Sequence, residues 1–287
     1  MPETFVTPMP KTVGVIGGGR MGAGIAQTFV AAGADVWVVE TGDAAAARQR
    51  IADGLAKAAQ RGKLTETPDA ALTRVTVVDD VAALPSSAEL VVEAVPERPD
   101  LKVDVLTRVE QAIGQNTVLA SNTSSLSITE LGAALRHPDR FLGMHFFNPV
   151  PASKLVEVVT TPDTAAGVVE RVRVWVGGLD KTDVVVRDSP GFATSRLGVL
   201  LGLEAIRMLE EGVADAEGID TAMELGYRHP MGPLRSTDLV GLDVRLAIAE
   251  YLHATLGERF APPQLLRDKV ASGQLGRKTG QGFHRWS

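Results

Sequence analysis

The chain has no cysteine. That excludes disulfides, thiolate zinc sites and a cysteine nucleophile, and it is the usage expected of a cytoplasmic protein. Nothing else in the sequence calls for a metal. Histidine is scarce, with 5 in 287 residues, so one in an unusual setting is informative. No run of about 18 apolar residues is present to span a bilayer. The opening MPETFVTPMPK has prolines and no long apolar run, unlike a secretory signal. A net charge of -6 offers no positive footprint for nucleic acid or for an anionic membrane. No internal repeat is visible, and the only biased stretch is a short alanine run at 44–47. What remains is an ordinary globular composition, 45% hydrophobic and 22% charged, in a chain long enough for two domains.

The most ordered signal is TVGVIGGGRMGAGIAQTFVAAGADVWVVE, residues 12–40. Thr12 to Ile16 is a nearly continuous apolar run, as expected for a strand buried on both faces. Gly17, Gly19 and Gly22 follow in G-x-G-x-x-G spacing. Residues 20–32 then have helical periodicity, and Gly33 ends the helix. Asp35 to Val39 is a second apolar run closed by Glu40. In such a unit the first glycine permits a tight turn, and the second lets the backbone approach a pyrophosphate. The third lets helix and strand pack closely, and the helix N-terminus presents its N–H groups to the phosphates. An acid at the end of the second strand binds both ribose hydroxyls and repels a 2′-phosphate, so Glu40 favours NAD over NADP.

Further strands are expected at 74–78, 89–94, 117–121, 140–145, 155–159 and 183–187, with helices at 43–61, 98–112 and 163–176. This alternation predicts an open, mostly parallel sheet with ligands at the carboxyl ends of its strands. Glu40, Glu93 with Glu97, the SNTSS stretch at 121–125 and His145 all fall at such ends. After DSPGF (188–192) the periodicity is helical: 192–211, 215–226, 232–256 in pieces, and 262–272. The change predicts a domain boundary near 188–190.

The stretch FLGMHFFNPVPASKLVEVV places His145 and Glu157 twelve positions apart in apolar surroundings. Spacing alone leaves two readings: polar residues at strand ends, or an acid/base pair held away from water.

Eight motifs now stand in order along the chain: VGVIGGGRMGAGIAQ, VVEAVPE, ASNTSSLSI, GMHFFNPVPASKLVEVV, SPGF, HPMGPL, DLVGLD and LGRKTGQGF. Together they resemble the L-3-hydroxyacyl-CoA dehydrogenase family, and within it the short bacterial 3-hydroxybutyryl-CoA dehydrogenases. The resemblance implies an α/β Rossmann-like NAD-binding domain at residues 1–188. It implies an all-α C-terminal domain at 189–287 that contacts substrate and forms a homodimer. The implied reaction is NAD-dependent oxidation of an L-3-hydroxyacyl-CoA, with an acyl-CoA thioester as substrate. It assigns His145 as general base, the side chain whose pKa needs least adjustment for that task. Glu157 becomes its orienting carboxylate, and Ser124 bonds the substrate C3 oxygen near the nicotinamide. Asn148, Glu97, Lys102 and Lys278 become cofactor contacts. Read without the resemblance, Ser124 lies in a helix-capping loop, Asn148 starts a turn, Glu97 is an exposed acid and Lys102 a solvated lysine. Lys57 and Arg61, four apart on one helical face, are assigned to the CoA moiety; otherwise they are a basic surface.

One position departs from the pattern. The family usually reads P-G-F-x-x-N-R, its asparagine near the catalytic histidine and the substrate, whereas this chain has Ser195. Serine is shorter and lacks the paired amide groups. Two alternatives to the thioester reading stand beside it: a dehydrogenase of a free hydroxy acid, such as a sugar acid or carnitine, and a non-catalytic NAD-binding relative.

Overall fold

The computed structural model describes residues 9–286. Most of the proline-bearing opening, read above as no signal peptide, lies outside them. The chain divides into two compact units, Met1–Asp188 and Ser189–Ser287.

The first unit is built on strands β1 (Thr12–Ile16), β2 (Asp35–Val39), β3 (Val75–Val78), β4 (Leu90–Glu93), β5 (Val118–Ser121), β6 (Phe141–Phe146), β7 (Leu155–Thr160) and β8 (Thr182–Arg187). They form one sheet in the order β3-β2-β1-β4-β5-β6-β7-β8. Every neighbouring pair is parallel except β6 and β7. The central strands read as apolar runs because helices cover the sheet: all of β4 and β5 is buried. Each fully buried valine or leucine there contributes about 1.5–3 kcal/mol.

The helices are α1 (Arg20–Ala31), α2 (Ala44–Gln60), α3 (Pro68–Leu72), α4 (Pro99–Ala112), α5 (Ile128–Gly132) and α6 (Ala166–Gly178). Gly33, at φ +95°, turns the chain out of α1 into β2. Asp43 caps α2 by accepting from the Ala46 N–H at 2.9 Å, and the core face of α2 buries Ala47, Ile51, Leu55 and Ala58. The short helix α3 escapes the sequence reading, since five residues are too few to display a period, and α5 is expected only as the helix that the serine loop caps. Ser127 caps α5 by accepting from the Glu130 N–H at 3.1 Å.

The second unit holds α7 (Thr194–Glu210), α8 (Ala216–Gly226), α9 (Pro233–Val240), α10 (Leu242–Leu256) and α11 (Gln264–Ala271). Gly241, at φ +106°, breaks α9 from α10, which is why 232–256 is helical in pieces. Its core gathers Val199, Leu203, Ile206, Leu234, Leu242, Leu252, Phe260 and Leu266. Among the described residues no helix is long and apolar enough to cross a membrane.

Candidate active site

Parallel pairing aligns the carboxyl ends of the central strands. Ile16 is opposite Glu93, Glu93 opposite Ser121, and Ser121 opposite Gly143, two residues before His145. The polar signals of the first unit therefore collect along one edge of the sheet.

At β1 the glycines behave as a dinucleotide turn requires. Gly17 sits at φ +99°. A Cβ on Gly22 would stand 1.8 Å from the Gly17 carbonyl oxygen, so no side chain fits there. A Cβ on Gly19 would meet nothing within 4 Å, and no side chain caps α1. The start of α1 is thus open to a phosphate, which fits NAD. Glu40 closes this end: Oε2 accepts from the Gly18 N–H and Oε1 from the Gly42 N–H, each at 2.8 Å. Its carboxylate is held against the glycine loop, where a ribose would lie.

At β4 and β5 the structure builds a network. Glu93, fully buried, accepts from Lys102 Nζ at 2.6 Å, from Ser121 Oγ at 2.6 Å and from the Val95 N–H at 2.7 Å. Lys102 comes from the first turn of α4 and is only 1% exposed; it also lies 3.3 Å from Glu97 Oε2. This corrects the reading of Lys102 as a solvated lysine. The two carboxylates offset the desolvation that would otherwise keep an ammonium out of the interior. Glu97 Oε1 accepts from the Thr123 hydroxyl, from the Ser124 N–H at 2.9 Å and from Ser125 Oγ at 3.2 Å. Burial pushes the Glu97 carboxyl up, but the Lys102 ammonium and the hydrogen bonds from Thr123 and Ser124 outweigh it and hold the group below the usual carboxylate range. Glu97 therefore fixes the loop that carries Ser124.

The antiparallel β6–β7 pair sets His145 directly opposite Glu157. His145 Nδ1 lies 2.8 Å from Glu157 Oε2. The histidine is 6% exposed and the glutamate fully buried. With Glu157 ionised, Nδ1 carries the proton and Nε2 keeps its lone pair. The Phe147 ring packs at 4.3 Å from the imidazole centroid. Asn122 adds a tie that the sequence did not suggest: its Oδ1 accepts from the Phe146 N–H at 2.8 Å, joining the serine loop to the histidine strand.

A cavity of about 510 Å³ opens between α1, α2 and the turn after β6. Lys57 and Arg61 line it, together with Asn148. Arg20, Arg50 and Lys63 join them, against a single acid, Asp53. These three additional cations were missed; Lys63, two residues beyond Arg61, is the one that a basic cluster in the sequence could have shown. The turn is anchored by Lys181, whose Nζ donates to the carbonyls of Val150 at 2.7 Å and Ser153 at 2.5 Å. Burial, with Lys154 nearby, pushes that amine down to about 8.

Ser195 and Lys278 belong to the second unit. Ser195 is half-buried in the first turn of α7. Lys278 pairs with both oxygens of Asp243 at 2.6 Å. Among the described residues no group of His, Asp or Glu could hold a metal ion.

Comparison with known proteins identifies the family. The family model described as 3-hydroxyacyl-CoA dehydrogenase, NAD binding domain, matches residues 12–189, and that of the C-terminal domain matches 191–286. A probable 3-hydroxybutyryl-CoA dehydrogenase of Deinococcus radiodurans is 42% identical over 276 residues, covering 95% of this chain and 99% of its own. Among solved structures, FadB2 of Mycobacterium tuberculosis superposes with a TM-score of 0.92 at 40% identity, covering 98% of this chain and 100% of the other. The (S)-3-hydroxybutyryl-CoA dehydrogenase PaaH1 of Ralstonia eutropha gives 0.91 at 40% identity, covering 97% and 99%. With both units matched in order and almost end to end, the chain belongs to the 3-hydroxyacyl-CoA dehydrogenase family.

Proposed function

We propose that the protein oxidises an L-3-hydroxyacyl-CoA reversibly to the 3-ketoacyl-CoA, with NAD as acceptor. The observation that carries this reading is the buried His145–Glu157 pair at 2.8 Å, on the sheet edge shared with the glycine turn and the Ser124 loop. NAD, when bound, would supply the acceptor for the hydride of C3. His145 takes the hydroxyl proton through Nε2, and Glu157 stabilises the imidazolium that forms. Ser124 donates to the C3 oxygen. Glu97, held below the usual carboxylate range, would accept from the nicotinamide ribose, and Lys102 keeps it in place. Asn148 and Lys278 serve as further cofactor contacts, and Ser195 lies at the substrate.

The cations of the large cavity favour a thioester over a free hydroxy acid. Coenzyme A brings a pyrophosphate and a 3′-phosphate, and five basic side chains against one acid suit them. The first unit then binds NAD and CoA, while the second contributes Ser195 and a dimer face. A homodimer is supported by the apolar side chains that the second unit leaves exposed, among them Leu197, Leu225, Tyr227 and Leu239. The cysteine-free composition suits the cytoplasm.

The test is a substrate panel: acetoacetyl-CoA, longer 3-ketoacyl-CoAs and free keto acids, each with NADH and with NADPH, followed by absorbance. The expected outcome is thioester turnover with NADH preferred. Turnover of a free acid and of no thioester would overturn the reading, and a preference for NADPH would overturn the role of Glu40.

A further inference from the structure

Helix α2 presents two faces. Ala47, Ile51, Leu55 and Ala58 are buried in the core. Beside that stripe, Arg50, Asp53, Gly54, Lys57 and Arg61 recur at helical spacing and line the large cavity. Two close approaches pin the helix in this orientation. A Cβ on Gly18 would stand 2.4 Å from the Ala47 Cβ, and a Cβ on Gly54 would stand 2.2 Å from Oε1 of Gln27 on α1. Gln27 Nε2 also donates to the Gly54 carbonyl at 2.9 Å. With glycine at both positions, α2 lies close against the dinucleotide turn and against α1.

That packing brings Arg50, one turn beyond Ala47, to the glycine turn itself. Its Nη1 donates to the Gly18 carbonyl at 3.1 Å. Glu40 Oε2 accepts from the N–H of the same residue at 2.8 Å. Gly18 is thus held at both of its backbone polar groups, in the loop where a pyrophosphate would lie. The same arginine is exposed and faces the cavity. A guanidinium carries five N–H donors in one plane, and the bond to Gly18 uses one of them.

We infer that Arg50 is shared between the two ligands of the first unit: it holds the dinucleotide turn through Gly18 and donates its remaining N–H groups to a phosphate of CoA, so that CoA and the dinucleotide each tighten the binding of the other. The inference rests on the thioester reading above and deepens it. Towards the cofactor Arg50 is a positioning residue, acting through Gly18; towards CoA it is a direct ligand. Two anions brought to neighbouring sites repel each other, and a cation between them offsets that repulsion. A phosphate on the free nitrogens also orders a long, exposed side chain, so the second ligand meets a guanidinium already fixed in place. A planar fork can serve two acceptors on different sides at once, whereas the compact ammonium of a lysine does so less well.

The experiment titrates NADH into the full chain, followed by nicotinamide fluorescence, first without CoA and then with CoA at saturation. The proteins are the wild type, Arg50→Met and Arg50→Lys, and calorimetry measures CoA binding to each. In the wild type CoA should lower the Kd of NADH by about three- to tenfold, and NADH should lower the Kd of CoA by the same factor, since coupling is reciprocal. In Arg50→Met the factor should fall to about one or below, and Arg50→Lys should keep part of it. If Arg50→Met does not fold, the wild type and Arg50→Lys carry the comparison. A wild type that binds the two ligands independently, or in which CoA weakens NADH, overturns the shared role and leaves the proposed function standing. A factor undiminished in the variants also overturns it, even if their affinity for NADH alone falls, because the arginine then only supports the turn. Failure of the wild type to bind CoA at all overturns both the inference and the thioester reading.

Discussion

His145 illustrates how a single residue takes its chemistry from its partners. Glu157 on Nδ1 selects the tautomer whose Nε2 can take a proton, and a buried setting strengthens that pair. His145→Gln should lower kcat by about 100-fold or more at unchanged fold, checked by NADH absorbance and circular dichroism. Glu157→Gln should lower it too, because an amide in that place no longer stabilises the imidazolium. Ser195 makes a smaller demand. If it contributes one hydrogen bond, Ser195→Ala should lower kcat/KM by about three- to tenfold. Equal rates for Ser195→Ala, Ser195→Asn and wild type on every acyl-CoA would remove it from the site. The resemblance of the motifs names these residues, but not every group that each side chain touches. Lys102 reads as solvated because nothing in PDLKVD announces that Glu93 and Glu97 both reach its ammonium.

Secondary-structure elements translate local pattern into placement. The glycine turn, α1 and β2 are legible because each job is written within about 30 residues: a positive φ at Gly17, an open Gly19, and an acid at the strand end. The strands, too, stand within a residue or so of their expected positions, since short β-branched apolar runs bounded by turn residues favour strands. The β6–β7 pairing is different. His145 and Glu157 are twelve positions apart, and the antiparallel register makes them opposite; a one-residue slip would turn one of them to the other face. Helix α2 carries a prediction of its own. Lys57→Ala with Arg61→Ala should raise KM for an acyl-CoA by about tenfold while changing kcat little. The effect should shrink as salt is added, because exposed charges are screened. An unchanged KM at low salt would remove these two cations from CoA binding.

At the scale of the whole molecule, apolar exposure is uneven. Eight of the eleven large exposed apolar side chains among the described residues lie in the second unit, on or beside α7 to α10. A soluble monomer rarely leaves so many in one part, so light scattering should report a dimer at micromolar concentration. Substituting Leu225 and Tyr227 by aspartate should shift it towards monomer, and a wild type that is monomeric throughout would contradict the proposal. The sequence by itself determined the alternation of strand and helix, the dinucleotide turn and the change to an all-helical second unit, because each depends on contacts within a few tens of residues; the candidate catalytic residues come from the resemblance of its ordered motifs to a family. Only the tertiary structure decided which charges are buried together. The Glu93–Lys102–Glu97 network, the register of His145 on Glu157 and the five cations around one cavity follow from how strands, loops and helices pack together. Burial is a property of the packed whole, and no local pattern encodes it.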